Sequence, residues 1–392
     1  MSYLQPVDPN ERFKLRRQRA RRRLIIRRTV ATAFALGIVT GLVVGIRVAA
    51  DDATPAEPVA KSKPAAASKP AAKKPRDLPY EVRGVHVTMA LASIPGKIDD
   101  YVGIDGLNTI ELDVKDENGE VAFASKKYAP LAAEVSARNY YEPKAAVAKM
   151  RKHGIYLIGR VVTFEDPVLS EARPDLAIKR PDGSLWQNHA GLGWSNPYDK
   201  RVWKYNVDVA ESAARAGFDE IQFDYVRFPT DGDLSQIVFP GKTATPPGWV
   251  IAQFLQYASK RLKPLGVRVS ADVFGLSATR DLGIAQVPKR ISKYLDAIYP
   301  MVYPSHYSPG EYNVADPNAA PGEIVRNSMI DFNLQLRGRK TAVIPWLQDF
   351  SLGKTYTIED IRAQIEAARL TGARGFMLWN AAGVYTDGAL AE

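Results

Sequence analysis

The chain has 392 residues, enough for one large domain with extensions, and its 46% hydrophobic and 24% charged content is that of a globular protein. The net charge of +10 sits at the amino terminus: residues 1–50 hold eleven Lys/Arg against two acids and residues 51–79 hold six against four. Residues 80–392 are therefore nearly neutral, which removes the electrostatic case for nucleic acid as a partner. The absence of cysteine excludes disulfides, zinc–thiolate sites and cysteine nucleophiles.

Residues 1–28 read as a basic cytoplasmic segment, densest from Arg16 to Arg28. The 18 uncharged residues from Thr29 to Ile46, closed by Arg47, meet the lower limit for crossing a bilayer as a helix. Residues 29–47 are thus expected to be a transmembrane helix or a signal-peptide core. Positive flanks stay inside, so the remainder is expected outside the cytoplasm. It is then either membrane-anchored or secreted after cleavage near Val48-Ala49-Ala50. Residues 48–79, rich in Ala, Pro and Lys, have too little apolar bulk to pack and read as a disordered linker.

From 80 to 392 the chain alternates strand-like and helix-like runs. Eight predicted strands are Val82–Ala90, Asn108–Asp116, Tyr156–Phe164, Glu220–Phe228, Arg268–Gly275, Ala297–Tyr303, Thr341–Leu347 and Gly375–Asn380. Predicted helices between them include Pro143–His153, Lys200–Ala216, Trp249–Leu265, Val287–Leu295 and Ile358–Leu370. Eight βα repeats without a glycine-rich phosphate loop predict an α/β fold of the (β/α)8 TIM-barrel kind.

Side chains alternate along a strand, so parity predicts what enters the barrel lumen. It places His86 and Thr88, then Glu111, Asp113 and Lys115, then Arg160, inward on the first three strands. It adds Gln222 and Asp224, Ser270 and Asp272, Tyr303, and Trp346 with Gln348. A lumen kept only for stability would be filled with branched aliphatics. Asp224 and Asp272, on adjacent strands, suit a carboxylate pair sharing a glycosidic bond, Asp224 as nucleophile and Asp272 as acid/base, with Asp113 and Glu111 in reserve. The competing roles are an ion pair of Asp224 with Arg160 or Arg227, and turn capping by Asp272. Trp186, Trp194, Trp346, Trp379, Tyr303 and Tyr307 fall at strand ends or beyond, where flat rings can stack on sugars. His86, Asp113, Lys115, Arg160, Arg227, Tyr303, Trp346, Gln348, Asp349 and Trp379 make up the predicted substrate contacts, although Asp349 has the opposite parity to Gln348 and Trp346.

The four histidines, His86, His153, His189 and His306, are dispersed, and no metal is expected; His86 with Asp113 is the one pair that could hold one. No Walker loop, GxSxG elbow or Rossmann fingerprint occurs, so no cofactor is expected either.

The run Gly217-Phe218-Asp219-Glu220-Ile221-Gln222-Phe223-Asp224-Tyr225-Val226-Arg227-Phe228-Pro229 resembles the fourth-strand signature of a family of glycoside hydrolase domains. Trp194-Ser195-Asn196-Pro197-Tyr198, Met301–Tyr307, Pro345–Phe350 and Met377-Leu378-Trp379-Asn380 extend the likeness over about residues 81–385. The resemblance implies an α-amylase-like barrel with catalytic carboxylates after strands four and five, which map onto Asp224 and Asp272. Amylase-type enzymes carry Glu where this chain has Asp272. The resulting expectation is an exported glycosidase acting on an envelope or environmental polysaccharide. The alternatives are a catalytically silent carbohydrate-binding or wall-associated barrel and a metal-dependent polysaccharide deacetylase.

Overall fold

The computed structural model describes residues 73–391. The basic segment, the apolar span 29–47 and most of the linker lie outside the described residues. Among the described residues no helix is long and apolar enough to cross a membrane.

Among the described residues nine parallel strands make eight staves: β1 (Val82–Val87), β2 (Thr109–Lys115), β3 (Tyr156–Val162), β4 (Glu220–Asp224), β5 (Arg268–Phe274), β6 (Ala297–Met301), β7 (Ala342–Val343) with β8 (Trp346–Gln348), and β9 (Gly375–Trp379). The sheet closes on itself, because β1 pairs with both β2 and β9 while β5 pairs with both β4 and β6. The seventh stave is split at Ile344-Pro345, where proline has no N–H to give the ladder. The result is the predicted (β/α)8 barrel.

Helices cover the outside. Lys200–Ala216 forms over the predicted range, with the Asp199 carboxylate accepting from Arg201 N at 2.8 Å and Gly217 ending it at φ 110°. Ile358–Leu370 starts on a capping box between Thr357 and Asp360. Two of the departures from expectation are helical. Val287–Leu295 shrinks to Pro288–Ile291, and a helix not predicted, Pro321–Gln335, packs on Ile358–Leu370. Its Gly322 permits that packing: a Cβ there would lie 2.9 Å from Ala363 O.

The apolar core of the described residues has two main parts, beside a small cluster of Tyr307, Val314 and Ile324. The larger lies between strands and helices and includes Ile110, Leu112, Ile221, Phe223, Val269, Phe254 and Val207. The smaller fills the lumen with Val82, Tyr156, Ile158, Ala297, Tyr299, Ile344, Trp346 and Met377. Several of these begin their strands, so the amino-terminal end of the barrel is plugged. The polar lumen residues Arg160, Asp224 and Asp272 fall towards the carboxyl ends, where barrel active sites form.

Candidate active site

β4 ends at Asp224 instead of running on to Phe228 as predicted. The Asp224 carboxylate accepts Tyr225 N at 2.7 Å through Oδ1, and Tyr225 turns into the left-handed region at φ 47°. A bulky residue there is strained, and such strain gathers at functional sites. The other oxygen of Asp224 accepts from Arg160, Nε at 3.0 Å and Nη2 at 2.7 Å. Arg160 also donates through Nη1 to Asp113 Oδ1 at 2.8 Å, with Glu117 Oε2 at 3.5 Å. One guanidinium thus holds Asp224 from one side with a planar, charge-assisted fork.

Asp272 is treated differently. Gln222 Nε2 and Trp346 Nε1 both donate to its Oδ1, at 2.5 and 2.6 Å, and no cation pairs with it among the described residues. Burial, then the nearby charge of Asp224, pushes its carboxyl well above the usual range. Since both neutral donors converge on Oδ1, Oδ2 is the oxygen to carry the proton.

Glu111 and His86 form a third unit, with His86 Nδ1 2.6 Å from Glu111 Oε2. Burial raises the Glu111 carboxyl and lowers the His86 imidazole to about 4. Both directions describe a neutral pair sharing one proton. The His86 ring stacks on Trp379 at 4.5 Å, and Trp379 meets Trp346 edge-on at 5.6 Å.

A cavity of about 370 Å³ opens over these groups, within the size range of small-molecule sites. Asp224, Asp272, Arg160, Arg227, Tyr303, Trp346 and Trp379 all line it, as does Tyr307. The competing role raised for Asp224 is also real: it is ion-paired, to Arg160 and not to Arg227. The pair faces a cleft, however, and is not sealed in a dry core.

Five predicted substrate contacts do not line the cavity. His86 and Asp113 stand behind its wall, where Asp113 also accepts from Met89 N at 3.3 Å. Lys115 points the other way. The register between β2 and β3 shifts between Asp113 and Lys115, and this irregularity reverses the parity. Lys115 Nζ lies outside the barrel, 2.7 Å from Asp166 Oδ2 and 2.9 Å from Asn206 Oδ1 on the helix Lys200–Ala216. Gln348 is occupied by Ser305 N at 3.1 Å and Phe350 O at 2.9 Å. Asp349 accepts from Thr386 Oγ1 at 2.7 Å and Thr386 N at 2.9 Å, tying down the carboxyl-terminal segment. Three further expectations fail. Trp186 and Trp194 are fully buried in the outer core, so neither is a sugar platform, and Thr88 caps the helix Met89–Ala92.

The cavity also has residues that were not singled out. Phe274 and Met301 continue the inward parity of Asp272 and Tyr303, so the alternation already pointed to them. Tyr225 has the outward parity of Ile221 and Phe223, and its turn brings it to the cavity. Leu276 and His306 come from short 3₁₀ turns and Leu282 from a loop, none of which has a strand period to read.

A family profile described as "Putative glycosyl hydrolase domain" matches residues 84–385. The chain belongs to that family. At family level it is a glycoside hydrolase, and every strand from β2 to β9 and every cavity residue falls within the matched range. Among solved structures, it is similar to the PgaB (BpsB) glycoside hydrolase domain from Bordetella bronchiseptica, at 14% identity and a TM-score of 0.54 over 77% of this chain and 95% of that one. It is also similar to Flavobacterium johnsoniae chitobiase, at 12% identity and a TM-score of 0.50 over 79% and 47%. Both likenesses are of fold. A hypothetical protein from Ruminiclostridium thermocellum is 34% identical over 48% of this chain and 97% of that one, with a TM-score of 0.43. Comparison with curated proteins gave no match.

Proposed function

We propose that this glycoside hydrolase domain works outside the cytoplasm on an envelope or environmental polysaccharide, with Asp224 and Asp272 as the working carboxyl groups. Asp224, gripped by Arg160, is the ionised member that attacks the anomeric carbon or stabilises its developing charge. Asp272 is the acid that protonates the leaving oxygen and then serves as base. The observation that carries this reading is the contrast between the two environments. One carboxyl is paired to a guanidinium; its neighbour is buried against neutral donors and pushed up. An ion-paired carboxylate beside a buried carboxyl held protonated is the arrangement that divides base and acid roles. Export is supported by the basic run up to Arg28 followed by the apolar residues Thr29–Ile46, whether the segment is kept as an anchor or cleaved.

Leaving-group dependence tests the assignment. An aryl glycoside with a nitrophenolate leaving group needs no acid assistance, whereas a glycan does. Asp272→Asn is expected to slow glycan cleavage by about 10²–10⁴ while lowering kcat/KM for the aryl glycoside, which reports the first step alone, by less than about tenfold. Asp224→Asn is expected to disable both. The reverse pattern would exchange the roles, and wild-type rates in both variants would remove the pair from the chemistry.

A further inference from the structure

The cavity wall holds a second arginine, in a setting unlike that of Arg160. Arg227 is only 7% exposed, yet among the described residues it forms no ion pair. Its guanidinium lies 5.0 Å from the Trp194 ring, 4.9 Å from Tyr225 and 5.0 Å from Phe274. Nη1 is used by the protein, donating to Phe228 O at 3.0 Å and Thr230 Oγ1 at 3.3 Å. Nε–H and Nη2–H meet no protein acceptor among the described residues, and neither nitrogen is an orphan sealed from solvent. The side chain is therefore braced at one nitrogen, clasped by three rings, and left with an adjacent pair of donors at a cavity surface. That pair is the edge with which arginine binds a carboxylate or phosphate bidentately. Arg160 lines the same cavity, but its charge is already answered by Asp224, Asp113 and Glu117.

We infer that the substrate carries an anionic substituent on the sugar seated beside the catalytic carboxyls, and that Arg227 grips its oxygens through Nε and Nη2. Resting on the glycosidase reading above, the inference narrows the substrate class to acidic glycans, such as uronate-containing or phosphorylated ones. The tight aromatic clasp accounts for how the guanidinium stays in place before substrate arrives, since cation–π contacts hold charge without competing for the donors.

The test is calorimetric binding to the full-length Asp272→Asn protein, so that affinity is read without turnover. The probes are uronate-containing tetrasaccharides, the same compounds with carboxylates reduced to alcohols, and tetrasaccharides bearing a phosphate monoester. The acidic forms are expected to bind about tenfold or more tighter than the reduced ones. Adding Arg227→Gln should bring the two within about twofold, and Arg227→Lys, which keeps charge without the fork, should fall between them. Preference for phosphate over uronate identifies the anion and upholds the inference. Equal binding of acidic and reduced forms, binding of reduced forms alone, or no binding of any acidic form overturns it. Wild-type cleavage separates the two readings. Neutral glycans cleaved without acidic preference would sink the inference and leave the glycosidase reading standing. Acidic glycans bound but never cleaved would do the opposite.

Discussion

Asp272 shows what the active centre costs the fold. Its carboxyl is buried, accepts two neutral donors on one oxygen, and is pushed up by burial and by Asp224. The folded chain therefore keeps a proton that the unfolded chain releases above about pH 4. Where the folded state binds more protons, stability falls as pH rises, here from the ordinary carboxyl value up to the raised one. Asparagine reproduces the protonated shape, with the same oxygen for Gln222 and Trp346, and never ionises. Asp272→Asn should thus lose activity yet melt higher than wild type at neutral pH, with the gain shrinking toward pH 4. Melting temperatures of both proteins across that window check it; a variant melting lower at every pH would show that the ionised carboxylate is instead an asset to the fold. Arg160 has the opposite place at this scale, a single cation answering Asp113 and Asp224 together.

The elements explain why some of these residues were legible and others not. Alternation along a strand is a backbone property, so Asp224, Asp272 and Arg160 were placed correctly from parity. Parity fails where the backbone departs from a regular strand. The shift between Asp113 and Lys115 carries Lys115 out under the helix Lys200–Ala216, and the turn at Tyr225 brings a ring of outward parity into the cavity. Parity also gives direction without partner: nothing in the run from Trp346 to Asp349 reveals that Gln348 will hold Ser305 or that Asp349 will hold Thr386. The Pro321–Gln335 helix escaped because its close packing uses Gly322, a residue that reads as a helix breaker. The relocated lysine gives a prediction at this scale. Lys115→Met leaves Asp166 buried beside an apolar neighbour, which should cost about 3–5 kcal/mol, and pairing it with Asp166→Leu should recover most of the loss. Urea denaturation measures both, with KM for a cleaved glycan expected to stay unchanged in the folded variants. A KM change without a stability loss would return Lys115 to the cavity.

At the scale of the whole molecule, the closed sheet divides labour between its two ends. Tyrosines, Val82, Ile158 and Met377 fill one end of the lumen, while carboxyls, arginines and indoles converge at the other. Packing at the plugged end fixes the strands whose far ends carry Asp224 and Asp272, so two residues 48 positions apart in the chain face one cavity. The family match spans this arrangement from within β1 to Tyr385, whose phenol accepts from His86 N at 3.0 Å and donates to His86 O at 2.5 Å, securing the end of β1. The most direct test is sugar release from a panel of neutral and acidic glycans by wild type and Asp224→Asn side by side. Release by wild type that drops at least about a hundredfold in the variant is the predicted result. Equal release by both proteins, or binding by wild type with no release from any glycan, would contradict the claim that these carboxyls break a sugar linkage.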